Sequence, residues 1–110
     1  MKLYTASADL CTPEEVVLDR VQVYLRAYRS QTSTRWGGEM IPEENREPVS
    51  WPEGEVILRL PSGRVLRATS SVVSAGTPVA RVPGGRRPAR VRFHQMARLE
   101  GIGPPPPECL

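Results

Sequence analysis

Several residue types are scarce in this chain of 110 residues, and each scarcity excludes a class of protein. No apolar run approaches the roughly 18 residues of a membrane-spanning helix, and the first residues have no signal-peptide core. Cysteine occurs twice and histidine once, without zinc-site spacing, so a zinc ribbon is excluded and no metal or other cofactor is expected. Glycine and proline follow no collagen-like period, and no heptad repeat indicates a coiled coil. We therefore expect a small domain without a membrane segment, located in the cytoplasm.

The two cysteines, Cys11 and Cys109, lie near opposite ends of the sequence. A disulfide between them would close a long loop and contribute about 4–5 kcal/mol on the chain-entropy model. Nothing marks the chain as secreted, however, and two cysteines do not make a disulfide framework. The sequence favours two free thiols in a reducing compartment and leaves the bridge open.

Apolar residues are present in the amount that a folded domain needs. Leu, Ile, Val and Phe make up 25 of the 110 residues, which is above the fraction of roughly 20% below which chains tend to stay disordered. We expect one domain over 1–103, with a long polar segment at 30–54 and a Pro-rich tail at 104–110. Four prolines give the tail an extended polyproline conformation, which fits a stiff end better than a ligand for a proline-reading groove.

The N-terminal region carries competing signals for a helix and for a strand. Thr12 and Pro13 fit the N-cap and the first position of a helix, and Glu15 completes a capping box. Apolar residues then recur at helical spacing, namely Val17, Val21, Tyr24, Leu25 and Tyr28. The same region is rich in β-branched valine and also fits an alternating strand.

We predict a helix over 13–29 because the capping signal favours it. The fold class that follows is α+β, with this helix packed on a curved, mainly antiparallel sheet or small barrel. The alternative is an all-β small barrel.

The remaining segments indicate β-structure, with a first strand over 2–6. The firmest prediction is a hairpin over 55–60 and 64–69, because Pro61-Ser62-Gly63 supplies the residues of a three-residue turn with a bulge. Its register sets Leu58 opposite Leu66. One face is then core, with Val56, Leu58, Leu66 and Ala68, and the other is mixed, with Ile57, Arg59, Val65 and Arg67.

Two more strands are predicted over 77–82 and 90–99, separated by a Gly- and Pro-rich loop over 83–88. The last strand alternates, so that one set of side chains faces the core and the other faces away. The inward set is Val91, Phe93, Gln95, Ala97 and Leu99, and the outward set is Arg90, Arg92, His94, Met96 and Arg98.

The polar segment 30–54 is long for a connection inside a compact domain. It is therefore a functional loop, a mobile segment or a hidden hairpin. Trp36 and Trp51 lie inside it, and the favoured interpretation is that they attach the segment to the domain. The alternative is a partner-binding loop in which both tryptophans are exposed aromatic anchors.

Charge is distributed unevenly along the chain. Residues 1–55 hold ten acidic and six basic residues, whereas residues 56–99 hold nine arginines and no acidic residue. A basic half beside an acidic half indicates either an anionic partner or neutralisation between the two halves within the fold.

The arginines make nucleic acid the preferred anionic partner, DNA or RNA. A guanidinium group donates two parallel hydrogen bonds to phosphate and stays charged at any relevant pH. The candidate nucleic-acid-binding residues, on a sheet face and a loop within 59–98, are Arg59, Arg64, Arg67, Arg86, Arg87, Arg90, Arg92 and Arg98. Base stacking is not expected to dominate, because Phe93 is predicted to face the core, so contacts to the phosphates of a duplex or structured RNA fit better.

Two other classes of function stay open. One is a protein-interaction module that binds an acidic protein surface or another partner, as an adaptor, an inhibitor or a structural component of a larger assembly such as a phage particle. The other is a small ribonuclease-like enzyme in which His94 beside Arg92 acts as acid or base. This last reading is the weakest, because a lone histidine on a strand face is usually only a surface residue, so we predict a non-catalytic binding protein.

Overall fold

The computed structural model describes residues 2–44, 48–78 and 91–110, with the side chains of 74–78 and 91–93 left out of the description. The chain forms a small closed β-barrel with strand order β1-β2-β3-β6-β5-β4, in which all neighbouring strands are antiparallel. The elements are β1 (Tyr4–Cys11), β2 (Val17–Arg29), β3 (Thr34–Pro42), β4 (Gly54–Arg59), β5 (Val65–Pro78), β6 (Val91–Gly101) and a 3-10 turn (Pro107–Cys109). Within the described ranges, no helix is long and apolar enough to cross a membrane.

The predicted helix over 13–29 is wrong, and with it the α+β fold class; the alternative of an all-β small barrel fits. Residues 17–29 form strand β2, which pairs with β1 on one side and with β3 on the other. Its inward residues alternate along the strand and are all buried, namely Val21, Val23, Leu25 and Ala27. Strand pairing on both sides and β-branched side chains together override a local capping signal.

The residues that predicted the helix cap instead form the turn between β1 and β2. The backbone N–H of Glu15 donates to the carbonyl of Thr12 at 2.8 Å, and the N–H of Val16 donates to Oγ1 of Thr12 at 3.1 Å. Glu15 has a φ of 66°, which is a left-handed conformation. Thr12 therefore satisfies backbone amides as a cap would, but in a tight turn.

The predicted hairpin is confirmed as β4 and β5. Leu58 lies opposite Leu66 in the predicted register, and the N–H of Leu60 donates to the carbonyl of Arg64 at 2.9 Å across the turn. Gly63 takes a φ of 89°, as the bulged turn requires. The predicted core face is buried, and one residue of the opposite face, Ile57, is buried as well.

The polar segment 30–54 contains strand β3, which forms a hairpin with β2. Of the three alternatives for this segment, the structure therefore shows the hidden hairpin. Both tryptophans of this segment are buried in the core, with 1% of Trp36 and 5% of Trp51 exposed. Neither tryptophan is therefore an exposed anchor for a partner. Their burial stabilises the fold, because about 25 cal/mol is gained for each Å² of apolar surface removed from water.

The Pro-rich tail packs on the barrel rather than projecting as a stiff end. Pro106 and Cys109 are buried, and Cys109 belongs to the core cluster. Arg64 Nε lies 2.8 Å from Oε1 of Glu108, which attaches the tail to the β4–β5 turn. Both cysteines are free thiols, as the sequence favours.

Strands β5 and β6 continue beyond the barrel. Pairing of β5 with β4 ends at Ser70, and pairing of β6 with β3 ends at Ala97. From there, residues 73–78 and 91–96 pair in the described structure only with each other, over six register positions. We call this two-stranded extension the ribbon. It contains the start of the strand predicted over 77–82, whose residues 79–82 lie outside the described part of the chain, and most of the strand predicted over 90–99.

Candidate nucleic-acid interface

Three of the predicted binding residues lie on the barrel and pair with acidic residues of the same chain. The N···O separations are 3.9 Å for Arg59 with Glu15 and 2.8 Å for Arg64 with Glu108, and Arg67 pairs with Glu55. Each pair is partly exposed, so each contributes only about 0–1 kcal/mol to stability. The barrel thus shows the neutralisation between acidic and basic halves that the charge distribution left as one alternative.

Arg98 differs from the barrel arginines. It lies in β6 with Glu39 of β3 on one side and Ser71 of β5 on the other, and its side chain is exposed. Among the residues that the structure describes, it forms no ion pair. Among the predicted binding arginines whose side chains the structure describes, Arg98 is therefore the one whose guanidinium group is available to an anionic ligand.

Arg98 lines an open groove of about 740 Å³ on the outer wall formed by β2, β3, β6 and β5. Gly37 also lines the groove, at the position of β3 that lies between Arg26 of β2 and Glu100 of β6. A Cβ on Gly37 would collide with the carbonyl oxygen of Leu99. The close approach of β3 and β6 therefore requires glycine here, and the absence of a side chain opens the groove.

The groove has a mixed lining. Its cations are Arg26 and Arg98, its hydroxyl groups come from Tyr28, Thr69 and Ser71, and Glu39 and Glu100 add negative charge. Hydroxyl and guanidinium groups together are the donors that phosphate and sugar oxygens accept from. The charges are interleaved, because Glu39 lies opposite Arg98 in register and Glu100 lies in the same cross-strand row as Arg26.

The groove continues onto the outward face of the ribbon. Ser71 and Arg98 are register partners at the rim, and the next pair on the same face is Val73 with Met96. Val73 is 63% exposed and Met96 is partly exposed. His94, two residues further along β6, is also exposed. We call the pairs from Ser71 with Arg98 to Val73 with Met96 the root of the ribbon. The barrel groove and this root therefore form one continuous surface.

Residues 48–53 hold the root of the ribbon in a fixed direction; we call them the strap. Oε1 of Glu53 accepts a hydrogen bond from the N–H of Val72 at 2.9 Å, and Nε2 of Gln95 donates to the carbonyl of Val49 at 2.5 Å. Within the strap, the side chain of Trp51 is buried in the core, and its Nε1 donates to Oδ2 of Asp19 at 2.8 Å. The strap thus occupies hydrogen-bonding groups of both strands where they leave the barrel.

Four predicted binding residues remain. Arg92 lies in β6 opposite Thr77, and its side chain is outside the description. Arg86, Arg87 and Arg90 lie outside the described residues. Of the predicted arginines that the structure describes, three are therefore ion-paired on the barrel, Arg98 has no ion pair among the described residues, and Arg92 lies in the ribbon.

Arg26 and Tyr28 are groove residues that the sequence reasoning missed. Both lie within the helix predicted over 13–29, whereas in strand β2 they point outward, with Gly37 and Arg35 of β3 as their register partners. The alternation of Val21, Val23, Leu25 and Ala27 was the signal that could have found them.

The buried thiols do not add chemistry to this surface. Burial raises the pKa of Cys11 above its usual value, an effect that the nearby Arg59 partly opposes. Burial also raises the pKa of Cys109, and Glu108 adds to the effect. Both thiols therefore stay protonated at neutral pH and are poor nucleophiles. In the described ranges, no group of three or more His, Cys, Asp or Glu side chains could hold a metal ion.

The chain matches no protein-family model, and no curated protein or solved structure matches it significantly.

Proposed function

We propose that this β-barrel is a non-catalytic nucleic-acid-binding protein that holds phosphates along the ribbon and in the groove at its root. The observation that carries the proposal is that the ribbon is formed by a part of the sequence in which all charged residues are basic. Residues 71–99 contain six arginines and no acidic residue, namely Arg81, Arg86, Arg87, Arg90, Arg92 and Arg98. Residues 79–90 enter the proposal by composition alone.

The ion pairs of the barrel arginines support the proposal that phosphates bind at the ribbon and its root. Arg35, Arg59 and Arg64 have carboxylates at 2.8–3.9 Å, and Arg67 pairs with Glu55. Phosphate contacts would have to displace these carboxylates. Arg98 forms no ion pair among the described residues, although Glu39 lies opposite it in register, and residues 71–99 contain no acidic residue. Phosphate binding there releases condensed counterions without breaking an internal pair.

The test is a titration of duplex DNA, single-stranded DNA and structured RNA with the purified chain between about 50 and 200 mM salt. Two variants of equal charge change are compared, and circular dichroism checks that each keeps the fold. The ribbon variant is Arg86→Ala/Arg87→Ala/Arg90→Ala/Arg92→Ala. The control variant is Arg35→Ala/Arg59→Ala/Arg64→Ala/Arg67→Ala, in which all four arginines are ion-paired.

The proposal expects affinity that falls steeply with salt. It also expects the ribbon variant to lose about 0.9 in the salt slope for each phosphate contact removed, and the control variant to keep most of the slope. Equal losses in both variants would mean that only net charge matters. Absence of binding by the wild-type chain at the lowest salt would overturn the proposal.

A protein-interaction module is the second candidate, favoured by a different observation. Val73 is 63% exposed on the ribbon. In the described structure, residues 73–78 and 91–96 pair only with each other, so each strand of the ribbon has an open edge. An exposed strand edge is a template for adding a strand from another chain. Such an association would persist at high salt and would be lost in Val73→Glu, whereas phosphate binding would weaken with salt.

A further inference from the structure

We infer that the ligand is B-form duplex DNA and that the ribbon lies in its major groove. This inference rests on the proposed function, because it specifies which nucleic acid the ribbon binds and how.

The dimensions of the ribbon carry the first step. Six register pairs, from Val73 with Met96 to Pro78 with Val91, are continuous and without a register shift. At about 3.4 Å per residue the ribbon is about 17 Å long, and its two strands lie about 4.8 Å apart. A two-stranded ribbon of this width fits the B-DNA major groove, which is about 12 Å wide and 8.5 Å deep.

The other duplex grooves fit the ribbon less well. The minor groove of B-DNA is about 6 Å wide, too narrow for two strands with their side chains. The major groove of A-form RNA is deep and narrow, and its minor groove is wide but shallow. A ribbon therefore distinguishes B-form DNA from duplex RNA by shape.

The described side chains of the outward face suit base edges as well as phosphates. Val73 is 63% exposed and pairs in register with the partly exposed Met96. An exposed apolar pair has no role in the barrel core, but it is a contact for the thymine methyl group, which is present only in the major groove of DNA. His94 and Ser71 flank this pair along the strands and can donate or accept hydrogen bonds.

The root of the ribbon is arranged for insertion. Glu53 and Val49 of the strap hold one group on each strand, Val72 N–H and the Gln95 amide. The direction of the ribbon is thereby set before the ligand binds, which lowers the ordering cost of association. Arg98 at the root is then placed to contact the phosphates that border the groove.

The experiment measures binding of the full chain to three duplexes of one sequence by fluorescence anisotropy at fixed salt. The first is unmodified DNA, the second is the corresponding RNA duplex, and the third is DNA in which hydroxymethylated cytosines carry glucose, which fills the major groove. A fourth sample is the unmodified DNA saturated with distamycin, a ligand of the minor groove. Val73→Ser is measured in parallel, because it removes the apolar contact without adding charge.

The inference expects unmodified DNA to bind about tenfold tighter than RNA or glucosylated DNA, the loss that one or two groove contacts account for. It also expects distamycin to have little effect and Val73→Ser to weaken binding to unmodified DNA alone. Equal affinity for all duplexes, or competition by distamycin, would overturn the groove assignment and leave phosphate binding intact. Failure of the wild-type chain to bind any duplex even at low salt would overturn both.

Discussion

Arg98 and Ser71 are register partners on β6 and β5. Ser71 lies one residue beyond the last position of β5 that pairs with β4, whereas Arg98 still pairs with Glu39 of β3. The pair of Arg98 and Ser71 stands where the outer groove of the barrel meets the ribbon. Arg98 is exposed and forms no ion pair among the described residues, whereas Arg67, four residues before Ser71 on β5, pairs with Glu55. The two arginines therefore differ in availability although they lie on the same outer wall.

Replacing Arg98 by alanine is expected to weaken nucleic-acid binding and to lower the salt slope by about 1, because one phosphate contact is lost. Arg67→Ala removes the same charge from an ion-paired position and should leave the slope nearly unchanged. Anisotropy titrations at several salt concentrations measure both slopes. Similar slopes for the two variants would show that the groove arginine makes no specific contact.

Gly101→Ala is expected to destabilise the barrel by about 1–3 kcal/mol, because overpacked cores force backbone shifts. A Cβ at position 101 would collide with the indole of Trp36 in the core. Urea unfolding followed by circular dichroism gives the free energy of unfolding. In a Trp36→Phe background the same change should cost less, and a coupling below about 0.5 kcal/mol would contradict the contact.

Glu15→Gly is expected to raise the free energy of unfolding by about 1 kcal/mol, because a left-handed backbone costs an L-residue about 1–2 kcal/mol. Glu15 has a φ of 66°, and its ion pair with Arg59, at 3.9 Å, is exposed and weak. Glu14→Gly serves as the control, because Glu14 has no positive φ, and it should not stabilise. A helix at this position would instead be destabilised by both changes by about 1 kcal/mol each.

Stability is expected to fall as the pH rises above 9.0, the usual pKa of the thiols. Burial raises the pKa of both cysteines in the folded chain, so the unfolded chain releases these protons at a lower pH than the folded chain. The stabilising contribution is therefore complete below 9.0 and is lost as the pH passes through the raised values. Urea unfolding of the wild-type chain and of Cys11→Ala/Cys109→Ala between pH 7 and about 10.5 measures the difference. Parallel pH profiles for the two proteins would contradict it.

Local signals predicted the β4–β5 hairpin because turn chemistry and alternation agree there. Pro61 and Gly63 fix the turn, and the alternation of Leu58 and Leu66 fixes the register. Around β2 the two kinds of signal disagree. The capping residues Thr12 and Glu15 favour a helix, and only the pairing of β2 with both β1 and β3 decides for a strand. That pairing depends on residues far away in the sequence.

The candidate site was predictable in charge but not in geometry. The sequence shows that acids are absent from residues 56–99, yet it does not show which arginines meet carboxylates from elsewhere in the chain. Arg64 with Glu108 joins residues 44 positions apart. The groove depends on Gly37, whose role follows only from the proximity of Leu99.

Amide chemical-shift changes on a ¹⁵N-labelled chain titrated with duplex DNA show which residues contact the nucleic acid. We expect the changes to concentrate on residues 71–73 and 94–98 and on the groove around Gly37. The opposite wall, formed by β1 and β4, should change little. Changes concentrated on β1 and β4, or no changes at a concentration that saturates binding, would contradict the assignment of the ribbon and its root as the interface.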